Sequence, residues 1–326
     1  MSRFLVTGGA GFIGSNFIRH LLAKDPDCFV INLDKLTYAG NLANLESVSQ
    51  NPRYQFVRGD VCDTSLVRRL MGQVDWVVHF ASETHVDRSI DSAEDFIETN
   101  IRGTQVLLDA AREQCHIHRF IHFSTDEVYG STVSGEFSET SRFNPSSPYA
   151  ASKAAGDLLV QAYVKTHRTP AIILRGCNNF GPYQYPEKVI PLFITNLIEN
   201  KKIPVYGNGE NSREWMYVEE TCRAILFVCD KGQIGQVYNV GSGDEMRNID
   251  LARKLLSLLK KDETSIAFVK DRLGHDWRYK LNSNKLRNLG FEVSGKFDVH
   301  LRETVDWYLA QKSWWGSLKK DVYTIK

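Results

Sequence analysis

The stretch RFLVTGGAGFIG, residues 3–14, gives the clearest indication of the fold class of this chain. An apolar run predicts a buried strand, glycines at every third position follow it, and a helical pattern begins at the last of them. Gly8 permits a tight turn, Gly11 lets the backbone approach a pyrophosphate, and Gly14 allows the helix to pack closely on the strand. This order of strand, glycine-rich turn and helix is typical of the first unit of a dinucleotide-binding sheet.

The first half of the chain repeats the alternation of strand and helix. Apolar runs rich in Val, Ile, Leu and Phe predict strands buried on both faces at 28–33, 54–57, 75–81, 119–124 and 171–174. The clearest helix is predicted over 93–113, with one apolar face made of Ile97, Ile101, Thr104, Leu108 and Ala111. Because such alternation implies right-handed crossovers, we predict an α/β fold with a doubly wound parallel sheet of the Rossmann type.

The second half is less regular. Further helices are predicted at 147–166, 217–230, 248–260 and 298–311. The segment 178–191 is rich in Asn, Gly, Pro and Tyr and predicts a structured loop, and 206–211 predicts a cluster of turns. We expect residues 1–175 to form a dinucleotide-binding domain to which later segments return. Residues 176–326 should form mainly a smaller, discontinuous C-terminal lobe that binds substrate.

Composition excludes several functional classes. The 40 Lys and Arg residues nearly cancel the 39 Asp and Glu residues, so no overall field attracts nucleic acid or an anionic membrane. No apolar run approaches the roughly 20 residues that cross a bilayer, and the early first strand predicts that there is no signal peptide. The six cysteines show no metal-binding spacing. We therefore expect no metal, reduced cysteines and a cytoplasmic location.

An acidic residue follows the second predicted strand. Asp34 lies 20 residues after Gly14, where a carboxylate can accept hydrogen bonds from the adenosine ribose and repel a 2′-phosphate. NAD⁺ is thus predicted rather than NADP⁺, although the adjacent Lys35 weakens the distinction. Asp60 and the pair Ala81–Ser82 follow the next two strands at the same edge of the sheet, where ligands bind.

Tyr149 and Lys153 lie four residues apart on one face of a predicted helix. A free tyrosine has a pKa near 10, so only about one in a thousand is ionised at neutral pH. A neighbouring ammonium group and a positive nicotinamide ring would favour the phenolate. Tyr149 could then take a hydroxyl proton while hydride leaves the same carbon for NAD⁺.

Motifs spread over almost the whole chain carry a resemblance to a known family. They are TGGAGFIGSN (7–16), LDKLTYAGN (33–41), THVDRS (84–89), NIRGT (100–104), HFSTDEVYG (122–130), SPYAASKAAGD (147–157), NNFGPYQYPEKVIP (178–191) and DRLGHDWRY (271–279). On these motifs the chain resembles the nucleotide-sugar 4,6-dehydratases of the extended short-chain dehydrogenase/reductase family. The resemblance implies C4 oxidation of a nucleoside-diphosphate glucose, loss of water across C5 and C6, and return of hydride to C6.

The triplet Thr125-Asp126-Glu127, just past the fifth strand, is the most specific motif. Oxidation at C4 acidifies the C5 hydrogen, so a base must remove it while an acid protonates the departing C6 hydroxyl. Two adjacent carboxyl groups push their pKa values apart, which keeps one protonated and the other ionised. The resemblance makes Asp126 the acid and Glu127 the base, an order that the residues alone leave open. Because adjacent side chains on a strand point oppositely, the triplet must lie in a bend.

The resemblance also implies binding residues. Cofactor contacts are expected, besides those named above, from Phe12, Ile13, Thr37, Val61, Asn100 and Asn178. Substrate contacts are expected from His85, Thr125, Asn178, Glu187, Lys188, Tyr206, Arg213, Asn248, Arg272 and His275. The two arginines suit a diphosphate, because a guanidinium group can bind two oxygens together. His85 and Tyr206 could equally be packing residues.

Two departures from the family pattern leave the nucleotide, dTDP or UDP, open. Leu273 replaces the usual proline, and the sequence before the paired asparagines reads Arg175-Gly176-Cys177. We expect both to lie near the nucleotide end of the substrate. Alternatives to the dehydratase are a nucleotide-sugar 4-epimerase, which needs no elimination acid, and an NAD⁺-sensing protein without activity. The resemblance further implies a homodimer in which the helices 93–113 and 147–166 pair across the interface.

Overall fold

The computed structural model describes residues 2–271 and 274–319, and Arg272 and Leu273 lie outside them. Its strands are β1 (Ser2–Thr7), β2 (Cys28–Asp34), β3 (Tyr54–Arg58), β4 (Trp76–His79), β5 (Arg119–Thr125), β6 (Ala171–Gly176), β7 (Asn178–Phe180), β8 (Ile203–Tyr206), β9 (Ser212–Tyr217), β10 (Val237–Val240), β11 (Glu245–Arg247) and β12 (Ile266–Val269).

The helices follow the strands along the chain. They are α1 (Phe12–Lys24), α2 (Thr64–Met71), α3 (Val86–Asp91), α4 (Glu94–Phe96), α5 (Thr104–Arg112), α6 (Pro148–His167), α7 (Val189–Ile198), α8 (Val218–Lys231), α9 (Asn248–Leu258), α10 (Asn284–Asn288), α11 (Phe297–Ala310) and α12 (Lys312–Leu318). Short 3₁₀ turns lie at Leu42–Val48, Asp126–Tyr129 and Glu263–Ser265, and a π-helical segment lies at Ile97–Gly103. None of the helices in the described part of the chain is both long and apolar enough to cross a membrane.

A seven-stranded sheet forms the centre of the molecule. Its order is β10-β6-β5-β4-β1-β2-β3, and every neighbouring pair is parallel. The chain reverses its direction of travel across the sheet between β1 and β4, where ligands bind beyond the carboxyl ends of the strands. The predicted doubly wound parallel sheet is confirmed.

Apolar layers cover both faces of this sheet. Adjacent residues of β1 point to opposite layers, so that Leu5 packs with α2, α5 and α6 while Val6 packs with α1 and α8. Both residues are fully buried. This burial on two faces explains why the strands read as nearly continuous apolar runs.

The chain beyond β6 builds two smaller sheets, of order β11-β9-β7 and β12-β8. A third apolar cluster, which includes Phe193, Trp215, Leu255 and Leu301, packs α7, α9 and α11 around them. One later strand, β10, returns to the main sheet and pairs with β6.

Some predicted elements differ from the structure. The segment 178–191, predicted as a loop, contains β7 and the start of α7, because β7 pairs with the distant strand β9. In the predicted helix 93–113, the π-helical segment changes the spacing of the side chains around the axis, and Ile97 is 54% exposed rather than on the buried face. The strand predicted over 75–81 is shorter, because pairing ends at His79.

Candidate active site

A single cleft at the carboxyl edge of the main sheet gathers most of the predicted site residues. It is lined by the glycine-rich turn that follows β1, by residues at or just after the ends of β2, β3, β4, β5 and β6, and by the first turns of α6. The predicted residues on its wall are Gly8, Gly11, Phe12, Ile13, Gly14, Asp34, Lys35, Thr37, Asp60, Val61, Ala81, Ser82, Thr125, Asp126, Glu127, Tyr149, Lys153, Asn178, Glu187 and Lys188.

The glycine-rich turn is shaped to admit a phosphate group. Gly8 has φ of 68°, and a Cβ atom at this position would lie 2.6 Å from the Ala81 nitrogen. A Cβ on Gly14 would lie 2.4 Å from the Gly8 carbonyl oxygen, so helix and strand can approach only without side chains here. Helix α1 begins at Phe12 with no side-chain cap, so N–H groups of its first turn are available to an anion in the cleft.

Asp34 braces this turn as well as facing the cleft. Its carboxylate accepts the Ala10 N–H and the Leu36 N–H, both at 2.8 Å. Burial raises the pKa of the carboxyl group, and these two hydrogen bonds oppose the rise. Next to it, Lys35 pairs with Asp60 at 2.7 Å across the cleft edge. The lysine charge is thus engaged by a carboxylate, which limits its attraction for a 2′-phosphate.

Tyr149 and Lys153 lie buried at the start of α6, which Ser147 caps by accepting the Ala150 N–H. The Lys153 ammonium group donates to the Phe123 carbonyl at 2.8 Å. Burial lowers the pKa of Lys153 to about 8. Burial and the Glu127 charge raise the pKa of Tyr149, and a hydrogen bond with Thr125 opposes them. This direction is opposite to the one expected from the Tyr–Lys spacing, because burial is the largest influence on the phenol.

The triplet lies in a bend, as predicted, because β5 ends at Thr125 and a 3₁₀ turn begins at Asp126. The Thr125 hydroxyl donates to Asp126 at 3.2 Å and accepts the Glu127 N–H at 3.3 Å. Asp126 is 2% exposed, whereas Glu127 is half-buried. Burial, followed by the charges of Glu127 and Glu214, raises the pKa of Asp126 well above its usual range. The environment of Asp126 therefore suits a proton donor.

Glu187 and Lys188 close the opposite wall of the cleft. Glu187 is 8% exposed and lies 3.8 Å from a ring nitrogen of His85 and 3.5 Å from Arg88. Lys188 donates to the Thr84 carbonyl at 3.2 Å. His85 itself caps helix α3 by accepting the Arg88 N–H, and it stands behind Glu187 rather than on the wall.

Asn100 lies beneath the cleft. Its amide group donates to Ser152 at 2.8 Å, and its oxygen accepts the Ser82 hydroxyl at 2.8 Å and the Glu83 N–H at 2.9 Å. It therefore fastens the end of β4 to α6 and shapes the cofactor wall from behind.

Four predicted substrate residues lie away from this cleft. The Arg213 guanidinium group donates to the main-chain carbonyls of Ser212 and Asp276 and lies 4.4 Å over the Tyr279 ring. The rings of Tyr206 and His275 meet edge to face at 5.7 Å. Asn248 is the first residue of α9. These residues belong to the smaller sheets and the loop beside them, and the predicted Arg272 lies outside the described residues.

The departure Arg175-Gly176-Cys177 was expected near the nucleotide end, and this expectation is wrong. Cys177 lines the cleft that holds Tyr149 and Asp126. Arg175 is 1% exposed and donates to Asp157, one turn after Lys153 on α6, at 2.7 Å. Strand β6 ends beside β5, so its last residues meet the triplet rather than the smaller sheets.

The structure adds cleft residues that were not predicted individually. They include Tyr38, Glu83, Thr84, Asn179, Gln184 and Tyr185. Tyr38 and Tyr185 meet edge to face at 5.6 Å, and Arg88 lies 4.1 Å over the Tyr38 ring. Both tyrosines stand inside motifs quoted above, but a motif does not tell which of its side chains face a ligand.

Known proteins resemble this chain over almost its whole length. The model of the GDP-mannose 4,6 dehydratase family matches residues 5–304. A dTDP-glucose 4,6-dehydratase of Streptomyces niveus is 49% identical over 322 residues, which cover 97% of this chain and 96% of the relative. The crystal structure of DesIV, a dTDP-glucose 4,6-dehydratase of Streptomyces venezuelae with NAD and TYD bound, is 49% identical with a TM-score of 0.94 and covers 97% of this chain and 99% of its own.

More distant similarity extends to epimerases. The UDP-glucuronic acid 4-epimerase of Bacillus cereus, in complex with UDP-glucuronic acid and NAD, is 28% identical with a TM-score of 0.89, over 94% of this chain and 99% of its own. The match of the family model over nearly the whole chain, together with relatives close to half identical, shows that this chain belongs to the GDP-mannose 4,6 dehydratase family.

Proposed function

We propose that the protein is an NAD⁺-dependent hydro-lyase that converts dTDP-glucose to its 4-keto-6-deoxy sugar. The observation that carries the proposal is the placement of Asp126 and Glu127 in one cleft with Tyr149, Lys153 and the glycine-rich turn. A 4-epimerase needs the turn, the tyrosine and the lysine but has no elimination to catalyse. Relatives at 49% identity are dTDP-glucose 4,6-dehydratases, whereas the epimerases stand at 28%.

The dinucleotide would lie along the carboxyl edge of the sheet. The uncapped N–H groups at the start of α1 would hold the pyrophosphate, and Asp34 would accept the ribose hydroxyls. The remaining proposed contacts are Lys35, Thr37, Asp60, Val61, Ala81, Ser82 and Asn178, with Asn100 acting from behind. When bound, NAD⁺ accepts hydride from C4 of the sugar and gives it back at C6.

The protein's own groups move the protons. Tyr149 would react as the phenolate, a form that the Lys153 ammonium group and the positive nicotinamide ring of bound NAD⁺ would favour. In that form it would take the proton of the C4 hydroxyl, with the Thr125 hydroxyl as hydrogen-bond partner. Glu127 removes the proton from C5, which the C4 ketone has made acidic, and gives a proton back to C5 when hydride returns to C6. Asp126 gives its proton to the C6 oxygen, which departs as water. Asp126 is buried and Glu127 is partly open, and this difference supports Asp126 as the acid and Glu127 as the base.

Substrate binding is proposed to extend from the cleft into the region of the smaller sheets. Thr125, Asn178, Glu187 and Lys188 would hold the glucose end, with His85 behind Glu187. The nucleoside diphosphate would reach Tyr206, Arg213, Asn248, Arg272 and His275. This arrangement corresponds to a dinucleotide-binding domain at residues 1–175 and a mainly substrate-binding lobe at residues 176–326.

We also infer a cytoplasmic homodimer. All six cysteines are free thiols, as suits a reducing compartment. Ile97 and Leu158, each 54% exposed, lie on the two long segments expected to pair across the interface. Sedimentation at micromolar concentration should give twice the chain mass of 37.1 kDa, and a monomer there would contradict the interface.

Incubation with dTDP-glucose and with UDP-glucose, followed by mass spectrometry, tests the function. We expect the loss of one water molecule from dTDP-glucose without stoichiometric release of reduced cofactor. An unchanged mass with an altered sugar configuration would support the epimerase. An unaltered sugar in the presence of bound NAD⁺ would support the sensing protein.

A further inference from the structure

We infer that the C-terminal helix α12 is part of the cofactor-binding machinery, because Trp314 on this helix holds the glycine-rich turn in place through Asn44. The inference rests on the proposed function in one respect, namely that the turn receives NAD⁺. It assigns a positioning role to a helix that follows all the described strands in sequence and contributes nothing to the cleft wall among the described residues.

A relay of hydrogen bonds joins α12 to the turn. The indole N–H of Trp314 donates to Asn44 Oδ1 at 2.9 Å. The amide group of Asn44 then donates to the Ala10 carbonyl at 2.9 Å. The same carbonyl accepts the Asn41 N–H at 3.0 Å, and the Ala10 N–H donates to Asp34 at 2.8 Å. The peptide groups on both sides of Ala10 are therefore fixed.

The relay can affect the phosphate site because Ala10 lies next to it. Ala10 directly precedes Gly11, which occupies the N-cap position of α1. Gly11 and Phe12 both line the cleft. Rotation of the peptide group between Ala10 and Gly11 would re-aim the N–H groups that are proposed to meet the pyrophosphate. Misplacement of binding groups by about 1 Å weakens such interactions markedly. Holding the Ala10 carbonyl thus preserves the shape of the phosphate site.

Aromatic packing fixes Trp314 for this role. Its ring meets Tyr183 edge to face at 5.8 Å and Trp307 at 5.1 Å. Arg19 of α1 lies 4.0 Å over the Tyr183 ring, and its guanidinium group also donates to the Asn44 carbonyl. The helix is therefore anchored both to α11, through Trp307, and to the helix that begins at the glycine-rich turn.

A dehydratase that returns hydride to its own product must keep the dinucleotide bound through the whole turnover. Hydrogen bonds that hold the phosphate site in shape would slow the dissociation of NAD⁺ without contacting the reacting atoms. We therefore expect the relay to act on the retention of NAD⁺ rather than on the proton transfers.

The chain offers a matched control on the same helix. Trp315 is the next residue, and its indole N–H donates at 2.8 Å to the Tyr308 carbonyl, within the C-terminal part of the chain. Trp314→Phe and Trp315→Phe each keep an aromatic ring and remove one indole N–H donor. Only the first breaks a bond that leads to the glycine-rich turn.

The test uses protein loaded with radiolabelled NAD⁺ and chased with excess unlabelled NAD⁺, with release followed by rapid filtration in the absence of sugar. Trp314→Phe should release NAD⁺ about fivefold faster than the wild type, the worth of one hydrogen bond. Trp315→Phe should stay within about twofold of the wild type. Equal release from the two variants, or no change in Trp314→Phe, would overturn the inference.

Asn44→Ala provides an independent variant that breaks the relay without altering α12. It should speed release at least as much as Trp314→Phe, and the double variant should be no faster than Asn44→Ala alone, because both changes break one relay. Fully additive effects would contradict the relay. Since the release assay contains no sugar, a wild type that retains NAD⁺ but leaves dTDP-glucose intact would contradict the proposed function only.

Discussion

Burial sets the protonation of Asp126, the residue proposed as the elimination acid. Burial and the charges of Glu127 and Glu214 raise the pKa of its carboxyl group in the folded protein. In the unfolded chain an aspartate titrates near pH 4, so above that pH the folded state holds a proton that the unfolded state has released. The contribution of this group to stability is complete below about pH 4 and is lost as the pH rises towards the raised pKa.

Asp126→Asn should therefore stabilise the fold while it slows the reaction. The amide keeps the shape without a charge to bury, so the melting temperature should exceed that of the wild type at pH 7, by a margin that shrinks towards pH 4. Dehydration should slow about 100-fold to 10,000-fold, the usual worth of a positioned acid. Thermal unfolding across this pH range checks the first effect, with Asp230→Asn at an exposed site as control. A margin independent of pH would contradict a raised pKa.

Asp34→Ala tests the proposed role of Asp34 in cofactor binding. The change removes the proposed ribose acceptor and releases the Ala10 and Leu36 N–H groups that now shape the turn. NAD⁺ binding should weaken by about 1–3 kcal/mol, and discrimination against NADP⁺ should relax. Asp34→Asn keeps one acceptor oxygen and should fall between the variant and the wild type. Calorimetry that shows unchanged affinity for both cofactors would remove Asp34 from the site.

Single residues were predictable where chemistry demands a residue type at a defined spacing. Tyr149, Lys153 and the triplet lie together in the cleft as their motifs predicted, although their catalytic roles stay proposals. The surroundings of Arg213 were not predictable, because two of its main-chain acceptors, on Asp276 and Trp277, lie more than 60 positions away in sequence. The raised pKa of Tyr149 also depends on burial that no local spacing reveals.

At the scale of elements, a buried ion pair fastens strand β6 to helix α6. Arg175 and Asp157 are 1% and 0% exposed, and the guanidinium group also donates to Tyr129 at 2.7 Å. Asp157 follows Lys153 by one helical turn, and its charge opposes the lowering of the Lys153 pKa by burial. The pair thus joins the frame of the sheet to the helix that carries Tyr149.

Arg175→Met should destabilise the protein by about 3–5 kcal/mol, because it leaves the buried Asp157 carboxylate without its guanidinium partner and with the His122 ring, at 3.4 Å, beside it. The double variant Arg175→Met with Asp157→Leu removes both charges and should recover most of that loss. Urea unfolding measures both free energies of unfolding. If the double variant lost as much stability as Arg175→Met and Asp157→Leu lose when their separate effects are added, packing rather than charge would explain the effect.

Elements were predictable where the pattern is local. Six of the seven strands of the main sheet were predicted from apolar runs, whereas β10 was missed, and the predicted helices begin and end within a few residues of their predicted bounds. The strand β7 was missed because three residues form it only by pairing with β9, more than 30 positions later. The π-helical turn at Ile97–Gly103 was missed because a regular helix was assumed in reading the apolar face.

At the scale of the whole molecule, the parallel sheet brings distant motifs to one edge. The ends of β1, β2, β4, β5 and β6 all open on the same cleft, which places the glycine-rich turn, Asp34 and the triplet around a common space. This convergence follows from the strand order and was predictable from the alternation of strands and helices. The positions of Tyr206 and Arg213 relative to the cleft were not predictable, because they depend on how the smaller sheets pack.

In the proposed reaction, one cleft carries out oxidation and elimination with separate groups. Single-turnover absorbance of reduced nicotinamide, with dTDP-glucose and the variants Glu127→Gln and Tyr149→Phe, tests it most directly. Glu127→Gln should accumulate reduced cofactor, because C4 oxidation survives while C5 deprotonation slows about 100-fold to 10,000-fold. Tyr149→Phe should form none, because it blocks the first step. Normal turnover by Glu127→Gln would contradict the role given to the triplet and would make the epimerase the better account.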